Sequence, residues 1–322
     1  MFDELKNNLT GCFYTIFTPF LENEEIDYEN LEKYLTFLYN RGARKFYAMA
    51  YNSRYSQLTD KEIFDLNEFC IKTVKNLDKN NIVIVGDPIY GTTKNSIQFS
   101  LHAKEHGADL ISLIVREKYF DDEQILEHYS EIGKHSNMPI LVHEMPFLSG
   151  YGGKQMYWPD SLIKSLPKIP EIIAIKEDSH DFEMIKIALS LEPKVRVIIA
   201  GTKSKLMQYQ KLGVQAYLNG ISIIDASIGE TFWHAFQSKN EKVTNFIIKQ
   251  LEEPFFENCA KKYGWHRVNK ALLQAAGFMH RRDRMPLKHL SDEEFIDVQN
   301  IYNQIKETLI SFENDISNLI KK

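Results

Sequence analysis

An α/β fold, a (β/α)8 TIM barrel with a C-terminal helical appendage, is predicted by three observations on the sequence. Eight short apolar runs recur through about residue 219, and amphipathic, helix-like stretches separate them. Strand–helix alternation repeated eight times is the pattern of a closed parallel barrel. After about residue 236 the strand-like runs stop and only helical periodicity continues. A doubly wound open sheet is the alternative. The count of eight and the lack of a Gly-rich dinucleotide turn favour the barrel.

The strand-like runs are 12–17, 46–50, 82–85, 110–115, 139–143, 172–176, 195–200 and 216–219. They are apolar without strict alternation, as expected of strands buried on both faces. The first helical stretch, Tyr28–Asn40, places Leu31, Tyr34, Leu35 and Leu38 on one face. Asp60–Leu77 follows Thr59, a good N-cap, with Glu62 set for a capping box. Thr93–His106 ends at Gly107, a C-cap signal. Stretches at 122–135, 159–166, 181–191, 204–212 and 225–236 complete the alternation. Beyond them 239–258, 262–276 and 292–320 read as helices, with a polar loop at 280–286. The expected division is a barrel over 1–236 and a C-terminal helical region over 237–322.

At 322 residues, with 43% hydrophobic and 26% charged residues, the composition is that of a soluble globular protein. A net charge of -5 provides no basic footprint, so no nucleic-acid partner is expected. Cys12, Cys70 and Cys259 are far apart and lack metal-ligand spacing, which fits buried free thiols. The first residues, Met1-Phe2-Asp3-Glu4-Leu5-Lys6, lack the basic and apolar regions of a signal peptide. No apolar run approaches the roughly 18 residues of a membrane span. A cytoplasmic protein with no membrane partner is the expectation.

The most informative residue is Lys176, which ends the run Ile172-Ile173-Ala174-Ile175. In such a barrel the carboxyl ends of the strands form the reactive face. A lysine there, with its stem in an apolar wall, is partly desolvated. Desolvation disfavours the ammonium and favours an amine able to attack a carbonyl. Taken locally, the pattern also fits a solvated strand cap.

Several motifs, in order along nearly the whole chain, resemble the dihydrodipicolinate synthase/N-acetylneuraminate lyase family. They are Phe17-Thr18-Pro19-Phe20, Leu58-Thr59-Asp60-Lys61-Glu62, Pro146-Phe147-Leu148-Ser149-Gly150, Lys176 itself, Arg284-Met285-Pro286-Leu287 and Leu290-Ser291-Asp292-Glu293-Glu294. The resemblance implies a class I, Schiff-base-forming lyase acting on pyruvate or another 2-oxo acid, with Lys176 as the imine-forming residue. It implies a homodimer or homotetramer. It implies no metal or organic cofactor, since the imine is itself the electron sink.

The chain departs from that family at telling places. Where the family has a Gly-Thr-Thr-Gly-Glu type loop for the substrate carboxylate, this chain has Ala50-Tyr51-Asn52-Ser53-Arg54. Asn52 and Ser53 retain hydrogen-bond donors, Tyr51 accompanies them, and Arg54 either adds charge or faces solvent. His143 stands where the family has a proton-shuttling tyrosine. With an ordinary pKa of about 6.5 it is a competent acid and base, or else a core histidine. Glu144 next to it points to the other side of a regular strand. After the seventh strand, Gly201-Thr202-Lys203-Ser204-Lys205 replaces acids with lysines, so Lys203 meets a second anionic group or is solvated. Gly220 and Ser222 resemble a turn lining the floor of such sites. Tyr119 sits near the position of a tyrosine presented across a subunit boundary, or packs as an aromatic. Gly152 and Gly153 in 151–154 suggest a lid or a plain turn.

Two functions follow from this reading. The first is a Schiff-base-forming aldolase, dehydratase or synthase acting on a 2-oxo (sugar) acid. The second is an altered family member that binds a 2-oxo acid as a sensor or partner protein without turnover.

Overall fold

Eight parallel strands pair in chain order and close on themselves. They are β1 (Gly11–Thr15), β2 (Lys45–Tyr47), β3 (Ile82–Gly86), β4 (Leu110–Leu113), β5 (Ile140–Glu144), β6 (Ile172–Glu177), β7 (Arg196–Ile199) and β8 (Ala216–Leu218). The ring closes where β8 meets β1, with Gly11 opposite Ala216. These are features of a computed structural model that describes residues 2–48, 51–115, 120–144, 147–148 and 155–319.

The fold is the expected (β/α)8 barrel. Its helices are α1 (Asp3–Asn8), α2 (Tyr28–Asn40), α3 (Asp60–Leu77), α4 (Thr93–His106), α5 (Asp122–Ser136), α6 (Asp160–Ser165), α7 (Phe182–Leu189), α8 (Lys203–Gln208) and α9 (Ala226–Gln237). Further helices, including Trp265–Ala275 and Asp292–Leu319, follow. The capping box before α3 is formed. Thr59 N–H donates to Glu62 Oε2 at 2.9 Å, and Glu62 N–H donates to Thr59 Oγ1 at 3.3 Å. Gly107 closes α4 at φ 89°, a conformation that favours glycine.

All five residues of β1, β3 and β5 and all six of β6 are buried. Phe13, Ile84, Leu141, Ala174, Ile198, Ala216 and Leu218 belong to one core cluster. Several ladders end before the apolar runs do. Ile16, Phe17, Ala48, Ile114, Val115 and Ala200 lie beyond the strands and are still buried. The loops at the carboxyl ends are therefore themselves covered, and hydrophobicity alone overestimates strand length there. A short antiparallel hairpin, Phe147–Leu148 with Gln155–Met156, follows β5 and was not expected. The suggested lid at 151–154 lies outside the described residues. The three cysteines are buried and form no disulfide.

The chain divides into two compact units. Residues 1–17 and 43–219 form the first, which holds all eight strands. Residues 18–42 and 220–322 form the second. Within the second unit, Arg41 at the end of α2 pairs with Asp225 at 2.7 Å, and Tyr34 Oη donates to the Ile223 carbonyl at 2.7 Å. Its buried Lys270 donates to the Thr18 carbonyl at 2.9 Å and to Asp283 at 3.2 Å. No helix among the described residues is long and apolar enough to cross a membrane.

Candidate active site

Lys176 is the penultimate residue of β6, at the carboxyl end of the strand. Parallel pairing sets it level with His143 on β5 and Ile198 on β7. Side chains at one level of neighbouring parallel strands share a face, about 4.8 Å apart at the backbone. Lys176 is only 1% exposed, as is His143. Its Nζ lies 2.6 Å from His143 Nε2 and donates to Asp178 Oδ2 at 2.7 Å. Asp178 is two residues past the lysine, so its carboxylate returns to the same side. His143 Nε2 is 3.5 Å from that same Oδ2. The shorter distance to the lysine suits an imidazole that accepts from Nζ with Nε2, rather than one that donates to Asp178.

His180 completes the group. Its Nε2 stands 3.4 Å from Asp178 Oδ1. Its backbone is left-handed at φ 58°. Gly201, at φ 120°, allows the ring to approach, since a Cβ there would come within 3.2 Å of His180 Nδ1. A side chain at residue 201 would be strained by its own backbone and pressed against the imidazole.

A second polar group spans the ends of β1 and β8. Thr15 Oγ1 donates to Asn219 Oδ1 at 3.1 Å and accepts from Asn52 Nδ2 at 3.2 Å. Ser53 Oγ donates to the Ile16 carbonyl at 2.7 Å. Lys203 is buried, and its Nζ donates to the Asn219 carbonyl at 2.9 Å. The Arg54 guanidinium lies over the Tyr51 ring, 4.9 Å from its centroid. Tyr47 and Ser112 share a 2.6 Å hydrogen bond between their hydroxyls.

The charges follow from burial and partners. Burial works to raise the Asp178 carboxyl, but the Lys176 ammonium and His143 outweigh it and hold it well below the usual range. Burial, with a contribution from the Asp178 charge, keeps the Tyr47 phenol neutral. Burial also lowers His180. On the alternate positions of the same strands, Glu144 and Glu177 are register partners. Glu144 is pushed up to about 8, mainly by burial and then by the Glu177 and Asp178 charges. Glu177 is pushed up to about 7 by burial, against hydrogen bonds from Ser179.

Of the residues singled out from sequence, Lys176 and His143 meet directly. Asn52 lies with Thr15 and Asn219, and the Lys203 Nζ joins that group through the Asn219 carbonyl. Gly201 lies against His180. Gly220 and Ser222 fall in a buried turn, Gly220–Ile223, of the second unit. Tyr119 lies outside the described residues. Asp178, His180, Thr15, Tyr47 and Ser112 were not anticipated. Asp178 did carry a signal, an acid two positions after a strand-end lysine. Thr15, Tyr47 and Ser112 carried none beyond lying near strand ends.

An amine, an imidazole and a carboxylate in one buried group can move a proton off Nζ and balance the charge that results. The family model for the dihydrodipicolinate synthetase family matches residues 8–305. The 4-hydroxy-tetrahydrodipicolinate synthase of Staphylococcus epidermidis is 23% identical over 302 residues, covering 92% of this chain and 97% of that protein. An uncharacterised DapA-like lyase of Pyrococcus abyssi is 25% identical over 325 residues, covering 95% and 99%. Among solved structures, dihydrodipicolinate synthase from Oceanobacillus iheyensis superimposes with a TM-score of 0.79 at 18% identity, covering 98% of this chain and 100% of that chain. N-acetylneuraminate lyase from Fusobacterium nucleatum superimposes with a TM-score of 0.78 at 16% identity, covering 92% and 99%.

Proposed function

The chain belongs to the dihydrodipicolinate synthetase family, and on that premise we propose that it is a Schiff-base-forming lyase or synthase acting on pyruvate or a related 2-oxo (sugar) acid through Lys176. The observation that carries this reading is the buried Lys176 Nζ, 2.6 Å from His143 and 2.7 Å from Asp178.

In the proposed sequence His143 Nε2 takes a proton from Nζ, and the free amine attacks C2 of the 2-oxo acid. The attacking nitrogen gives up a proton as the carbonyl oxygen gains one and becomes a hydroxyl, and the proton held by His143 then lets that hydroxyl leave as water. The resulting imine draws electrons from the neighbouring carbon, so a bond there can break or form. Asp178 offsets the positive charge that the imine and imidazolium carry in turn, and it orients both groups. Asn52 and Ser53 orient the substrate carboxylate. Tyr51, Arg54, Lys203 and Gly201 line its surroundings. The protein acts as a homodimer or homotetramer in the cytoplasm.

One observation favours the second reading, a 2-oxo acid binder without turnover. The Lys176 side chain is tied to Asp178 at 2.7 Å, a pairing that favours the ammonium, and an ammonium has no lone pair with which to attack. Borohydride reduction in the presence of pyruvate decides between them. The first reading expects the added mass of one reduced pyruvate, absent from Lys176→Ala. An adduct that survives that substitution overturns the assignment of Lys176. Turnover of 2-oxo sugar acids is then assayed separately, because trapping reports the imine alone.

A further inference from the structure

Away from the strand ends, α3 and α4 bring three ligating side chains together. Glu68 lies on α3. His102 and His106 lie on α4, four residues apart and so on one face of that helix. One ligand atom from each lies within 4.8 Å of the others. Glu68 Oε2 is 3.9 Å from His102 Nε2 and 3.7 Å from His106 Nε2. Both distances are beyond hydrogen-bond range. They are close to the separation of about 3.4 Å between donors that share a tetrahedral ion at about 2.1 Å.

The His102 ring is uncommitted. His102 Nδ1 is buried without a hydrogen-bond partner among the described residues, and Nε2 has only the distant Glu68 oxygen. The ring makes no hydrogen bond among the described residues, so no protein donor holds the Nε2 lone pair on the side of Glu68. Packing also fixes the ring in place. Phe64 meets it edge-on at 4.8 Å between centroids, and Phe64 is itself stacked on Phe99 at 3.8 Å. The His106 ring lies 4.3 Å from that of His102. Glu68 Oε1 is taken by Lys72, which leaves Oε2 facing the two imidazoles. Each of the three side chains keeps partial solvent access, 31% for Glu68, 20% for His102 and 23% for His106. Water can therefore fill a fourth position.

We propose that Glu68, His102 and His106 form a binding site for a divalent transition metal of the zinc type, which ties α3 to α4. Two imidazoles and one carboxylate suit zinc, cobalt or nickel better than magnesium or calcium, which prefer all-oxygen sets. The site is independent of the Lys176 chemistry. None of its residues takes part in the proposed reaction.

The test uses the whole chain, freed of metal by a chelator, and titrates it with zinc against a chromogenic competitor. One zinc per chain is expected, with a rise in the thermal midpoint as bound metal stabilises the folded state. Cobalt should produce visible absorption bands of a four-coordinate site. His106→Gln and Glu68→Gln should each weaken zinc by at least the roughly 10–100-fold that loss of an outer partner costs. They should also abolish the midpoint rise. Lys72→Gln removes the competing ammonium and should keep or tighten binding. All three substitutions are at partly exposed positions, and circular dichroism checks that the variants fold. No zinc uptake by the wild type, or equal affinity in His106→Gln and Glu68→Gln, overturns the proposal. Weaker binding in Lys72→Gln also counts against it.

Discussion

Strands β5 and β6 carry two acidic arrangements one residue apart, and they behave in opposite ways. At one level His143 and Lys176 meet with Asp178, and the carboxylate there is held charged. At the next level Glu144 and Glu177 face each other, and both carboxyls are pushed up toward neutrality. Burial raises all three acids. The difference is the partner. Asp178 has an ammonium at 2.7 Å, whereas each glutamate has another acid in register. Burial sets the cost of a charge in this barrel, and the nearest opposite charge decides whether that cost is met.

The largest expected effect breaks the first arrangement at its centre. Lys176→Ala should abolish both the reduced pyruvate adduct and all turnover. The mass of the trapped protein and a substrate assay measure these two losses. Residual turnover in this variant would detach the chemistry from the lysine.

His143→Phe keeps ring bulk and removes proton transfer. Turnover should fall by roughly 10²–10⁴-fold, and adduct formation by less, since water can carry some protons. Once a substrate is in hand, pH–rate profiles of wild type and variant check this. Equal rates would make His143 a packing residue. His143→Tyr, which installs the side chain that the family resemblance implies at this position, should retain part of the activity if the pocket admits the longer ring.

Asp178→Ala removes one partner of a buried pair and leaves the Lys176 charge uncompensated. It should destabilise the protein by about 3 kcal/mol, the low end for such pairs because Asp178 retains some exposure. Urea midpoints at pH 7 measure this. A shift below about 0.5 kcal/mol would place the pair in the surface class.

The second arrangement predicts a pH dependence of stability. Glu144 and Glu177 have folded-state values of about 8 and about 7, against an ordinary 4.5. Between those values the native state binds more protons than the unfolded chain, so stability falls as pH rises. The two acids titrate as a pair, and the window from about 5 to 8 belongs to both. Glu144→Gln and Glu177→Gln are uncharged isosteres and should flatten that slope. Their thermal midpoints should exceed that of wild type most clearly at pH 8. Parallel curves for wild type and both variants would show that the pair is solvated in solution.

The smallest effect concerns the charges of Arg54 and Lys203. Arg54 and Lys203 should favour ligands with a second anionic group, such as a dicarboxylic oxo acid. Lys203 already serves the Asn219 carbonyl and Arg54 lies over Tyr51, so the preference should be a few-fold. It should weaken as salt rises. Equal binding of mono- and dicarboxylic ligands at two salt concentrations would remove both residues from recognition.

The architecture was legible from sequence because its signals are local. Runs buried on both faces, helical periodicity, the Thr59–Glu62 capping box and the Gly107 stop each lie within a few residues of one another. The strand-end position of Lys176 was legible for the same reason, at the end of the run Ile172–Glu177. The hairpin after β5 was not, since its strands are only two residues long and leave almost no pattern.

By itself, then, the sequence determined the alternation of strands and helices, the strand-end position of Lys176 and the presence of a histidine at the end of β5. Tertiary structure decided what those residues touch. His143 and Lys176 are 33 residues apart and meet because β6 is hydrogen-bonded to β5 at that register. The same register sets Glu144 beside Glu177, and helix packing aims Glu68 at His102 and His106. Periodicity records which face of an element is buried. Only the pairing of distant elements determines which charges share that buried space, and hence which of them remain ionised.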